Sequence, residues 1–118
     1  EERERIIKET AIADGVKCIV GIEQEGGSGG KESAEATVRN LAGFNVIKDC
    51  PKGDKVFRAD PFSVQINNGN VRLLIGDWNY AFIDELRNFP FGTYKDQVDA
   101  VSAGFAQLVK RKKARRVT

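Results

Sequence analysis

The run Val16-Lys17-Cys18-Ile19-Val20-Gly21-Ile22 constrains this chain more than any other stretch. It is short, rich in β-branched residues and apolar at most positions, the pattern of a strand covered on both faces and therefore typical of a parallel sheet. Glu23-Gln24-Glu25 and Gly26-Gly27-Ser28-Gly29-Gly30 follow, and residues 31–41 then form an alanine-containing helical stretch closed by Gly43. Strand, turn and helix in that order are the unit of an α/β layer, whose parallel strands are joined by right-handed crossovers.

The rest of the chain extends this pattern. Ile6, Ile7, Ala11 and Ile12 recur at near-helical spacing, which predicts a helix over 2–13 ended by Gly15. Residues 44–47 form a second strand, and 49–53 a Pro/Gly loop. Asp54 caps a short helix reaching Arg58, and Asp60-Pro61 repeats the start signal before Phe62, Val64 and Ile66. Residues 71–75 form a third strand. Asp77 then caps a helix whose apolar face is Trp78, Phe82, Ile83, Leu86 and Phe89, with Trp78 in the core and Pro90 and Gly92 as stops. The last helix covers 96–110 through Val98, Val101, Phe105, Leu108 and Val109. The expected architecture is α/β, about three mostly parallel strands packed with helices, with one domain over 1–109 and a basic tail over 110–118. Three strands make a thin sheet, and its uncovered edge invites pairing with a second copy.

Composition removes whole classes of chemistry. The chain has no histidine, so Ser-His-Asp and Cys-His nucleophile systems are excluded and catalysis is left to carboxylates, lysine or a hard metal ion. Cys18 and Cys50 lie far apart without a CxxC pair, which argues against a zinc site or a disulfide framework; Cys18 is expected to pack as a small hydrophobe. No apolar run approaches the roughly 20 residues that span a bilayer, so a soluble, cytoplasmic protein with no membrane partner is expected. The net charge is +2, but six of the 19 bases fall in residues 110–118. The remaining 13 stand against 17 acids, an acidic body of −4 with a basic end.

The glycine cluster is not a phosphate loop. A Walker A motif would need glycine where Glu25 stands and Ser or Thr where Glu32 stands. The dinucleotide pattern fails too, because Gly27-Ser28-Gly29 would require glycine at position 32. A flexible strand-to-helix turn accounts for it. Glu23 carries more meaning, since open α/β sheets bind ligands beyond the carboxyl ends of their strands. Asp96 and Asp99 stand three residues apart at a helix start and so share a surface, where they serve either as caps or as ligands. Acids from separate elements suit Mg²⁺ or Mn²⁺, which prefer oxygen donors, in two-metal phosphodiester hydrolysis. The basic segment 110–116 complements the dipole of its helix or holds nucleic acid.

Several spaced segments together resemble the nuclease domain of phage terminase large subunits: Ile22-Glu23-Gln24-Glu25-Gly26-Gly27-Ser28-Gly29-Gly30-Lys31, Gly53-Asp54-Lys55-Val56-Phe57-Arg58-Ala59-Asp60-Pro61, Gly69-Asn70-Val71, Trp78-Asn79, Phe82-Ile83-Asp84-Glu85-Leu86, Phe89-Pro90 and Asp96-Gln97-Val98-Asp99-Ala100. The resemblance implies a partial ribonuclease H-like fold and a metal-dependent endonuclease that cuts concatemeric viral DNA during packaging in the bacterial host cytoplasm. It implies Glu23, Asp96 and Asp99 as catalytic metal ligands for Mg²⁺ or Mn²⁺, and Lys55 and Arg58 as contacts to double-stranded DNA. It also implies partners in the terminase small subunit and the portal. The family's first catalytic aspartate lies on a strand for which nothing stands before Glu1, so the metal site is expected to be incomplete and this chain inactive by itself. Lys95 stands where many relatives carry another acid or a histidine, which lowers the negative charge. The competing expectation is a non-catalytic folded remnant that acts as an interaction or DNA-contacting module.

Overall fold

The computed structural model describes residues 2–51 and 53–117, with side chains as far as residue 110. The chain divides into two compact units, meeting in sequence between Pro51 and Lys52. The first holds α1 (Glu2–Asp14), β1 (Val20–Glu23), α2 (Gly27–Asn40) and β2 (Val46–Asp49). The second holds α3 (Lys55–Asn67), α4 (Asn79–Asn88) and α5 (Asp96–Val117). The chain is therefore mixed α/β. Among the described residues no helix is long and apolar enough to cross a membrane.

In the first unit β1 and β2 pair in parallel, with Val20 opposite Val46 and Glu23 opposite Asp49. The connection between them is α2, the crossover that a parallel pair requires. Its packing face buries Ala34 and Thr37, with Leu41 buried just after it and Ala11 of α1 also buried. Glu4 of α1 ties the two helices together by accepting hydrogen bonds from Thr37 Oγ1 at 3.2 Å and Asn40 Nδ2 at 3.0 Å.

β1 begins four residues later than its apolar run. Gly15 adopts φ of +87°, and Cys18 donates its backbone N–H to the Gly15 carbonyl at 3.2 Å, so 16–18 form a turn. Cys18 is therefore exposed, not packed as expected. α2 begins earlier than expected, inside the glycine cluster. Gly26 is its N-cap, and at Gly30 a Cβ would collide with the Glu25 carbonyl. That glycine is a steric requirement of the strand-to-helix turn, not a source of flexibility.

In the second unit α3 is a single helix through Pro61, where two short ones were expected. The Asp54 carboxylate accepts the Phe57 N–H at 2.8 Å and caps it. α3 packs on α5 with Phe62 buried, its ring 5.7 Å from that of Phe105 and tilted by 53°. α4 packs its Phe82 inward and ends at the cis Phe89–Pro90 bond. Trp78 precedes α4, half exposed, with its ring 5.9 Å from Phe82, so it lies at the margin of the core and not inside it. α5 continues through the basic segment to Val117.

The third strand is absent: 71–75 lie outside any sheet, and Leu74 and Ile75 are 83% and 100% exposed. The described sheet has two strands, not three. Asn79 explains part of this local geometry. Its amide donates to the Leu74 carbonyl at 3.0 Å, and its carbonyl accepts the Gly76 N–H at 2.9 Å, so a side chain takes backbone groups that a neighbouring strand would otherwise engage.

Candidate functional site

Glu23 closes β1 and is exposed at the carboxyl end of the parallel pair. The register sets Asp49 directly opposite it, and Gln24 donates its N–H to the Asp49 carbonyl at 2.7 Å. Paired residues of neighbouring strands lie about 5 Å apart and point to the same face. The first unit thus presents two carboxylates where α/β sheets bind ligands. Asp49 was assigned to a loop from the sequence; only the strand register reveals it as the neighbour of Glu23.

The other predicted residues fall in the second unit, at the start of α5. Lys55 is the first residue of α3, and its Nζ lies 2.5 Å from Asp99 Oδ2, an ion pair that is half exposed on the lysine side and mostly covered on the aspartate side. Arg58 follows three residues later on α3 and is half-buried. Asp96 is exposed, and among the described residues it makes no ion pair. The structure therefore brings Lys55 and Asp99 together, sets Asp96 a turn away, and leaves Glu23 in the other unit.

A residue with no role assigned from the sequence orients this site. Glu85 of α4 is buried, and its Oε2 accepts the Val98 backbone N–H at 2.6 Å while Oε1 accepts Gln97 Nε2 at 3.2 Å. Val98 is the third residue of α5, so its N–H has no partner within the helix. Glu85 thus does from a neighbouring helix what an N-cap side chain does locally, and its negative charge also suits the positive end of the helix dipole. It fixes the turn that carries Asp96 and Asp99. The only hint in the sequence is an acid among the apolar positions of the α4 face.

The donors are all oxygens, the set that Mg²⁺ and Mn²⁺ prefer, and Mg²⁺ is commonly held by one or two carboxylates with water and phosphate completing its shell. The pairs fit such an ion chemically. Among the described residues no group of three or more possible ligands is gathered closely enough to hold one. Comparison with known protein families, curated proteins and solved structures finds no match.

Proposed function

We propose that this chain belongs to the nuclease domain of a phage terminase large subunit, with a ribonuclease H-like fold, and serves a Mg²⁺- or Mn²⁺-dependent endonuclease acting on double-stranded DNA during packaging. The observation that carries this is the pairing of carboxylates in each unit, Glu23 with Asp49 at the strand ends and Asp96 with Asp99 at the start of α5, with Asp99 ion-paired to the lysine of α3. Glu23, Asp96 and Asp99 are the proposed ligands, with Asp49 beside Glu23 in the first unit. Lys55 and Arg58 are the proposed contacts to the DNA backbone. The small subunit and portal are the proposed partners, and the bacterial cytoplasm the proposed location.

A bound ion would supply an activated water and stabilise the leaving oxygen. The chain's own residues do the rest. Glu85 holds the first turn of α5 in place, and so sets the direction of Asp96 and Asp99. Lys55 keeps Asp99 from swinging into solvent and presents an ammonium group for a phosphate.

The second reading is a non-catalytic module that touches DNA or another protein. It is favoured by the Lys55–Asp99 pair, in which a lysine already neutralises a proposed ligand. Two measurements separate the readings: Mn²⁺ binding followed by electron paramagnetic resonance, and plasmid nicking by this chain and by a version extended upstream of Glu1. The nuclease predicts Mn²⁺ binding that Asp96→Asn and Asp99→Asn each weaken at least tenfold, and nicking in the extended protein that the same changes abolish. Absence of both binding and nicking in the extended protein leaves only the module.

A further inference from the structure

One side of α4, the 89–95 loop and the first turn of α5 line an open groove of about 740 Å³. Three rings line it, Tyr80, Phe91 and Tyr94, and they are 79%, 94% and 73% exposed. Asp84 and Asp96 stand among them, and among the described residues no lysine or arginine contributes to the lining. Among the described residues neither carboxylate makes an ion pair; Asp84 is met only by the Asn88 amide at 3.3 Å. Open ring faces beside unneutralised carboxylates favour lysine and arginine side chains, through cation–π contact and charge-assisted hydrogen bonds. Without a bound divalent cation the same field repels a phosphate backbone.

The complementary charge lies at the other end of α5, where Lys110, Arg111, Lys112, Lys113, Arg115 and Arg116 follow one another closely. A chain cannot lay that segment in its own groove. At 1.5 Å per residue, position 110 lies about 21 Å along the same helix from Asp96, and position 116 about 30 Å. A second copy turned end for end can. Leu108, 68% exposed and three turns beyond Gln97 of the groove, gives the intervening surface of α5 an apolar contact, and antiparallel helices bring opposite dipole ends together.

We propose that two copies of this chain associate through antiparallel α5 helices, each seating its 110–116 segment over the groove formed by Tyr80, Asp84, Phe91, Tyr94 and Asp96 of the other. The contact is repeated twice about a two-fold axis and is closed, so it yields a dimer and not a filament. It does not depend on metal.

Sedimentation velocity on the full chain in EDTA tests this with two charge-reversed proteins. One carries Asp84→Lys and Asp96→Lys in the groove; the other carries Lys112→Glu, Lys113→Glu, Arg115→Glu and Arg116→Glu in the basic segment. The unaltered chain forms a dimer whose dissociation constant rises at least tenfold between about 0.05 M and about 0.5 M salt, as screening shortens the reach of these charges. Each reversed protein alone is a monomer, and an equimolar mixture of the two restores the dimer, which also shows that both are folded. If either reversed protein lacks the far-UV circular dichroism of the parent, Asp84→Asn with Asp96→Asn replaces the groove change and Lys112→Gln with Arg115→Gln the other, and each must weaken the dimer at least fivefold. A parent chain that stays monomeric at low salt, a dimer that survives either set of changes, or folded reversed proteins that do not recombine would each overturn the proposal.

Discussion

Replacing Glu85 tests whether one buried carboxylate holds the start of α5. The perturbation is Glu85→Ala, compared with Glu85→Gln. Val98 is only 2% exposed, so when its N–H loses the Glu85 oxygen at 2.6 Å, water has little room to replace it. A hydrogen bond to a charged group contributes about 1.5–3 kcal/mol, and the alanine also leaves a gap under α4 and drops the Gln97 contact. Glu85→Ala should therefore cost about 3 kcal/mol. Glutamine keeps an acceptor oxygen for Val98 and loses mainly the charge–dipole term, about 1 kcal/mol. Urea unfolding followed by the fluorescence of Trp78, the chain's one tryptophan, reads this locally, because that residue sits at the head of the helix carrying Glu85. Amide exchange at Val98 gives a second readout, with protection lost in the alanine variant and kept in the glutamine variant. A Glu85→Ala protein within about 0.5 kcal/mol of the parent would refute the role assigned to this carboxylate. Equal losses in the two variants would refute the division between acceptor and charge.

Other substitutions probe the remaining contacts. Gly30→Ala should destabilise the first unit by about 1–3 kcal/mol, because the new methyl group meets the Glu25 carbonyl; thermal unfolding unchanged from the parent would contradict that close approach. Leu41→Ala removes a side chain that is 1% exposed and should cost about 2–5 kcal/mol in chemical denaturation, while a loss below about 1 kcal/mol would mean Leu41 is not central to that core. Ser102→Ala should raise stability by about 1 kcal/mol, since its buried hydroxyl has no hydrogen-bond partner among the described residues; a destabilised variant would reveal one. A double-mutant cycle on Lys55→Ala and Asp99→Ala should give a coupling of no more than about 1 kcal/mol, given the exposure of the lysine, and a value above about 2 kcal/mol would show that solvent screens the pair far less than this geometry implies.

Local chemistry made several elements legible from the residues alone. The spacing of Ile6, Ile7, Ala11 and Ile12 placed α1 to within a residue of its observed end, and Asp54 marked the start of α3 through a cap that needs only residues three apart. The acids at 96 and 99 likewise marked the start of α5. Each of these signals is contained within one or two turns of chain. Residues 71–75 are the instructive failure. Their β-branched and leucine side chains suit a strand, but strand preference mostly reflects packing against a neighbour, and none of the described elements in their unit is a strand.

What only the tertiary structure decided are the relations between residues far apart in the chain. Lys55 meets Asp99 across 44 positions, Glu85 caps Val98 across 13, and Asp49 stands beside Glu23 because two strands align in one register. No periodicity encodes these meetings, because each depends on how whole helices and strands dock. The sequence alone thus supplied the acids and bases; folding determined which of them would be neighbours.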